Sequence, residues 1–208
     1  MMKFAFIRKP VFHKALITGF VLSFLLTQTC FHAECDDIPN HLLRLHIVAN
    51  SDSDDDQLLK LKVRDCILKQ SATLFQKAEN KIEAEHIART NLDKIIANAQ
   101  KLVTDLGYDY EVKGTLAKNM YFNTRVYDKF TLPAGNYDAL HITIGKGKGH
   151  NWWCVCFPPM CFSVAGNTDN EGLSSVLSEE QLWITENSDR YQYKFKIVEW
   201  YSEIESLF

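Results

Sequence analysis

The chain has 208 residues, with 23 Lys+Arg against 26 Asp+Glu, 46% hydrophobic and 12% aromatic residues, and six cysteines. This much apolar material excludes a disordered tail, a collagen-like repeat and a small disulfide knot. A net charge of -3 excludes a nucleic-acid binder driven by attraction to phosphates.

Lys3, Arg8, Lys9 and Lys14 precede an uncharged run from Ala15 to Leu26, and no acidic residue appears before Glu34. Positive end, short apolar core and polar exit are the order of an export signal. The run has 12 residues, whereas a permanent membrane helix needs about 20. A cleaved signal over residues 1–33 is therefore expected, followed by a single exported domain over 34–208. The exit Thr27–Ala33 is a poor small-x-small site, and Cys30 lacks the small neighbours of a lipoprotein box, so the cut position is open. Losing residues 1–33 removes four cations and no anion, which moves the charge from -3 to -7. An anionic membrane repels such a surface, so membrane contact is expected only through the signal segment.

Leu42–Ala49 is short, apolar and rich in branched residues, and Asn50-Ser51-Asp52-Ser53 stops it. That pattern predicts a buried strand and a turn. Ser53 or Asp54 can cap a helix with Asp55 and Asp56 in its first turn, a place that favours negative charge. Leu59, Val63, Cys66, Ile67 and Leu74 carry its helical spacing to about Lys77. A second helix is marked by Ala88, Leu92, Ile95, Ala99, Leu102 and Leu106, with Gly107 placed for a left-handed C-terminal residue.

From Tyr108 the period becomes two. Tyr108, Tyr110 and Val112 alternate with polar residues, as do Met120, Phe122, Thr124 and Val126, then Leu140, Ile142 and Ile144, then Trp153, Val155 and Phe157. The expected architecture is α+β: an early strand, then a two-helix hairpin packed on a mostly antiparallel sheet. A surface loop is expected over 167–178 and a short helix over 178–183. The last segment fits a strand at Tyr191, Tyr193, Phe195 and Ile197, and a helix at Val198, Tyr201 and Ile204.

Asp52, Asp54 and Asp56 alternate like calcium ligands, but Gln57 stands where such a loop needs Gly and Val63 where it needs Glu. Capping and a solvated helix start are expected instead. Gly145-Lys146-Gly147-Lys148-Gly149-His150 lacks the spacing and the following helix of a phosphate loop and reads as a loop between strands. Cys154 and Cys161 flank a Pro-Pro turn and can approach each other. A bridge there would close eight residues and contribute roughly 2.5 kcal/mol. The same cysteines with Cys156 and His150 could instead hold zinc, though without the usual pairing of ligands, or stay reduced. No Gly-x-Ser-x-Gly or His-Glu-x-x-His pattern occurs. No catalytic residue, metal or cofactor is assigned.

Leu43–Ser53, continuing through Asp56-Gln57 to Lys60, Lys62, Val63, Arg64 and Asp65, resembles the N-terminal signature of the stage II sporulation protein R family. Leu132-Pro133-Ala134-Gly135, Tyr137, Ala139-Leu140, then Ile144-Gly145 and the run from Gly147 through Trp152-Trp153-Cys154 to Pro159 and Cys161 resemble its second signature. Asn123 stands where the family pattern would have Pro, and Cys156 occupies a variable spot. The resemblance implies an exported sporulation signal rather than an enzyme. It would be made in the forespore and sent into the intermembrane space, where it activates a membrane-bound aspartic protease, stage II sporulation protein GA, that processes the sigma-E precursor in the mother cell. It also supports Cys154–Cys161 as the disulfide pair. It singles out Arg44, Asn50, Ser51, Asp52, Ser53, Gln57, Lys60, Arg64 and Asp65 in the first signature. Lys146, Lys148, His150, Asn151, Trp152 and Trp153 are the candidate partner-binding residues, facing the extracytoplasmic part of the protease. The competing readings are a secreted thiol enzyme or hydrolase using the cysteines and histidines, and an envelope structural domain.

Overall fold

The computed structural model describes residues 9–127, 129–159 and 171–205. In chain order the elements are α1 (Lys9–Asp37), a 3-10 turn (Ile38–Asn40), β1 (Leu43–Val48), α2 (Asp54–Phe75), α3 (Lys81–Asp105), β2 (Val112–Phe122), β3 (Arg125–Val126) and β4 (Thr131–Leu132). There follow β5 (Gly135–Ile144), β6 (Asn151–Phe157), α4 (Glu171–Ser174), α5 (Glu179–Glu186), a 3-10 turn (Ser188–Arg190) and α6 (Gln192–Glu205). The α+β expectation holds. Of the surface loop expected at 167–178, residues 167–170 lie outside the described residues, while 171–178 correct the expectation: Glu171–Ser174 is helical and Leu173 and Leu177 are buried in the core.

The main sheet has the order β2-β5-β1-β6. β2 pairs antiparallel with β5, and β6 antiparallel with β1, while β1 and β5 run parallel. A parallel pair needs a long crossover, and the α2–α3 hairpin with β2 supplies it. Both helices start as their sequences direct. The Ser53 side chain accepts from the Asp56 N–H, and Asn80 does the same for Glu83. Gly107 sits at φ +86°, where a residue with a Cβ is strained.

Leu59, Val63 and Ile67 of α2, with Ala88, Ile95, Ala99 and Val103 of α3, bury one sheet face together with Leu45, Ile47, Leu140 and Ile142. The opposite face is half covered. Ile38, Leu42, Phe130, Leu132, Leu173 and Leu177 close over Phe122, Tyr137, Ala139 and Val155.

Two expectations give way to tertiary constraints, and the terminal segment, open in the sequence between strand and helix, is decided. Tyr108 and Tyr110 precede the strand, their rings 5.6 Å apart and packed on the edge of the core. Phe157 leaves the alternation of Trp153 and Val155 and joins the helix-side core, because the β1–β6 register shifts between Leu43 and Arg44. The terminal segment is helical.

The N-terminal apolar segment is helical and compatible with a signal or membrane-spanning segment. α1 continues through Thr27–Ala33 to Asp37. Its last turns pack Phe31 and Cys35 against Ile184, Phe195 and Val198.

Candidate functional site

The two signature segments meet at one end of the sheet, where the β1–α2 turn holds the β5–β6 loop. Asn50 is the first clamp. Its Oδ1 accepts from the Lys146 N–H at 2.9 Å, its Nδ2 donates to Asp56 Oδ2 at 2.8 Å, and its carbonyl accepts from the Lys148 N–H at 3.2 Å. Asp52 is the second. Its Oδ1 accepts the His150 N–H at 2.6 Å and faces His150 Nδ1 at 2.5 Å. Gln57 donates to the Ser51 carbonyl at 2.8 Å. The Lys60 ammonium donates to Gln57 Oε1 at 2.6 Å and to the His150 carbonyl at 3.0 Å. Burial lowers the Lys60 pKa from its ordinary value.

Asp56 corrects the expectation of a solvated helix start. It is 4% exposed, and burial alone would raise its pKa. Hydrogen bonds from Ser51, Asn50, Tyr110 and Ser53 outweigh that and hold the carboxyl below its usual range. A buried carboxylate is tolerated when donors fill its lone pairs.

Arg64 and Asp65 serve the flank of the site. Arg64 bonds Asp65 at 2.7 Å, and its guanidinium lies 4.4 Å from the centroid of the Trp152 ring. Trp152 is half-buried on the helix side of the sheet. Trp153, one residue on, points to the other face. It stacks on His46 with centroids 3.8 Å apart and planes 2° from parallel, and meets Phe122 edge-on at 4.7 Å. The two tryptophans therefore belong to different surfaces. Lys146, Lys148, His150 and Asn151 are exposed around the loop.

His46 of β1 and His141 of β5 come together beside Trp153. His46 and His141 are register partners in the parallel pair, with Nδ1 atoms 2.8 Å apart. One ring must accept while the other donates, so a second proton at this contact is excluded. Burial pushes the His46 pKa down to about 4, and the charge of His141 adds to this while Asn151 opposes it. Burial lowers the His141 pKa as well. Nothing in either strand alone signals the pair, because contact depends on register across a long crossover.

The sign of the pH effect follows. The unfolded imidazole takes up its proton near pH 6.5 and the folded one only near 4, so the unfolded state binds more protons in between. The stabilisation is complete above that window and is lost as the pH falls through it. Acidification from pH 7.5 to 5 is expected to cost about 2 kcal/mol through His46. Denaturant unfolding of the full chain in mild detergent, followed by tryptophan fluorescence, measures it. His46→Phe, which preserves stacking, should flatten most of that slope. An unchanged slope would assign it elsewhere.

Among the cysteines, Cys30, Cys35, Cys66 and Cys156 are free thiols. Cys154 is not a free thiol, and Cys161 lies outside the described residues. Cys156 is buried, donates to the Leu43 and Arg44 carbonyls at 3.3 and 3.4 Å, and is pushed up to about 12 by that burial. A thiol held in that form supplies no nucleophile near neutral pH.

The family model described as stage II sporulation protein R matches residues 39–167, which contain both clamps and the whole loop. The chain belongs to the stage II sporulation protein R family. Stage II sporulation protein R of Bacillus subtilis (strain 168) is 32% identical over 210 residues, covering 91% of this chain and 93% of that protein. No solved structure matches. Within this family frame, the signature residues Asn50, Asp52, Gln57 and Lys60 hold the loop in place, while the exposed residues lie on the loop they hold.

Proposed function

We propose that this member of the family is an exported sporulation signal, made in the forespore, that activates a membrane-bound aspartic protease in the mother-cell membrane and so triggers processing of the sigma-E precursor. It performs no catalysis itself. The observation that supports this reading best is the junction of the two family signatures. Most of their polar residues are spent on fixing one loop, which leaves Lys146, Lys148, His150 and Asn151 facing solvent on a rigid support. A ligand that shifts a receptor between states needs differential contact with them, and a pre-ordered loop lowers the entropy cost of that contact. The two lysines suit an acidic patch on the extracytoplasmic part of the protease. A Cys154–Cys161 bridge belongs to the proposal as a restraint at the far end of β6.

The test is a membrane preparation holding the protease and its precursor substrate, to which the full chain is supplied. Precursor cleavage is expected with the wild type. Lys146→Glu combined with Lys148→Glu should reduce it at least tenfold, about 1.4 kcal/mol of lost coupling, without changing the unfolding midpoint. Normal processing by that folded double variant would remove the loop from the receptor contact. No processing by the wild type would refute the proposal.

A further inference from the structure

The sheet face opposite α2 and α3 is closed along only part of its length. At the level of Ala139 and Val155 it is covered by Leu132, Leu173 and Leu177. Toward the β5–β6 loop it carries two rows of side chains in register across all four strands. Thr115, His141, His46 and Trp153 form the first row, and Lys113, Thr143, Val48 and Asn151 the second. Lys113, Thr115 and Asn151 are exposed, while Val48, His141, Thr143 and Trp153 are half-buried. Only His46 is buried. A sheet face open to water is ordinary, but the charge pattern and the aromatic residue on this one are not.

Residues 34–208 hold 26 acidic against 19 basic side chains, yet neither row contains a carboxylate. Cations border it instead. The Arg125 guanidinium of β3 lies 5.8 Å from the Trp153 ring centroid. Gly147 turns back over the second row, so close that a Cβ there would lie 2.6 Å from Thr143 Cγ2. The exposed Lys146 and Lys148 flank that glycine, and the nearby Asp52 is occupied by His150. Lys113, on the far strand, is paired with Glu111 at 3.0 Å, but the two side chains are 67% and 69% exposed, so water and salt weaken the pair.

Trp153 is fixed in advance. The stack on His46 and the edge of Phe122 hold its ring in one orientation, so docking against it costs little side-chain entropy. A rigid tryptophan beside an arginine is the composition of binding hot spots, and Thr115 and Asn151 add hydrogen-bonding groups next to it. Trp152 belongs to the other side of the sheet and takes no part.

The occupant this surface fits is a short acidic polypeptide segment. Carboxylates match the cationic rim, whereas a long polyanion such as a nucleic acid would also meet the net negative charge of the body. A lipid surface calls for apolar side chains along the contact, and Val48 is the only aliphatic residue in the two rows.

We propose that an acidic segment of the protein partner lies across this open half of the sheet, with Trp153 as its aromatic anchor and Arg125, Lys113, Lys146 and Lys148 as its charged rim. The contact of the proposed function thereby extends from the loop onto the sheet, and it rests on that reading only for the identity of the partner.

The experiment uses the full chain in mild detergent, with its four tryptophans replaced biosynthetically by fluorotryptophan, and deca-glutamate as the probe at low salt. The fluorine resonance that Trp153→Phe removes should move most on titration. Arg125→Glu should weaken the titration at least about fivefold through like-charge repulsion. Lys94→Glu makes the same charge change at an exposed position of α3, behind the opposite side of the sheet, and should leave the titration unchanged. An unmoved Trp153 resonance, or equal weakening by Lys94→Glu, would overturn the proposal. So would a Trp153 shift with phosphatidylglycerol vesicles in the absence of one with deca-glutamate, which would assign the face to lipid. In the membrane preparation described above, Thr115→Glu should lower precursor cleavage about fivefold with the unfolding midpoint unchanged. Wild-type cleavage that both Thr115→Glu and Arg125→Glu leave intact would overturn the sheet contact even where the loop lysines matter. A wild-type chain that takes deca-glutamate at Trp153 and triggers no cleavage would count against the proposed function alone.

Discussion

Arg44→Ala is expected to destabilise the chain by about 3 to 5 kcal/mol, because it empties the most voluminous fully buried side-chain site and strips partners from two polar groups. Arg44 is 0% exposed in the middle of β1. Its Nε donates to the Cys154 carbonyl at 2.9 Å and its Nη2 to the Tyr127 hydroxyl at 3.0 Å. The guanidinium lies 4.3 Å from the Phe122 ring centroid and 4.9 Å from that of Tyr137. Aromatic faces and neutral acceptors take the place of a carboxylate here, and Nη1 has no hydrogen-bond partner among the described residues. The charge is therefore costly to bury, and volume carries much of the residue's contribution. Arg44→Met keeps the volume and removes the cation, so it should cost about half as much. Denaturant midpoints of the full chain in mild detergent compare the two. Equal losses for Met and Ala would mean that the hydrogen bonds, rather than the filling of space, hold β6 and the β3–β4 flap to β1.

Much of this frame is legible in the sequence wherever the cause is local. Ser53 caps α2 because its side chain lies three residues from the amide it serves. Gly107 ends the α3 segment because only the backbone at that point matters. The stripe Ala88, Ile95, Ala99 shows its face through spacing alone, and the family signatures mark the residues that build the loop clamp. What escapes is set by partners distant along the chain. The polar segment Thr27–Asp37 has no pattern of its own that demands a helix; Phe31 and Cys35 continue it because α6, more than 150 residues later, covers them. Asp56 looks like a solvated first-turn carboxylate until the loop and Tyr110 close over it. Trp152 and Trp153 look like one aromatic unit, yet the two-residue period of the strand sends one to Arg64 and the other to His46. A pattern can say that neighbouring strand residues diverge, but it cannot say what waits on either side.

Gly149→Ala carries the second large expected effect, about 3 kcal/mol, the upper end of the usual cost of overpacking. The added Cβ would overlap the Ser51 carbonyl oxygen, lie 2.6 Å from the carbonyl carbon and 2.9 Å from the Ala49 Cβ. Both neighbouring residues are pinned. The Ser51 carbonyl is held by Gln57, and Gly149 donates its own N–H to the Ala49 carbonyl at 2.9 Å. Moving the loop away would break that bond and pull the His150 N–H off Asp52 and the His150 carbonyl off Lys60. The substitution should therefore lower the unfolding midpoint and free the amides of Lys146, Lys148 and His150, which hydrogen exchange reads directly. Asp52→Asn provides the contrast: it keeps an acceptor for the His150 amide but removes the charge facing the ring, so a smaller loss confined to the loop is expected. Unchanged exchange at those amides in Gly149→Ala would show that the turn yields without opening, and that close approach of the two signature segments is not what orders the loop.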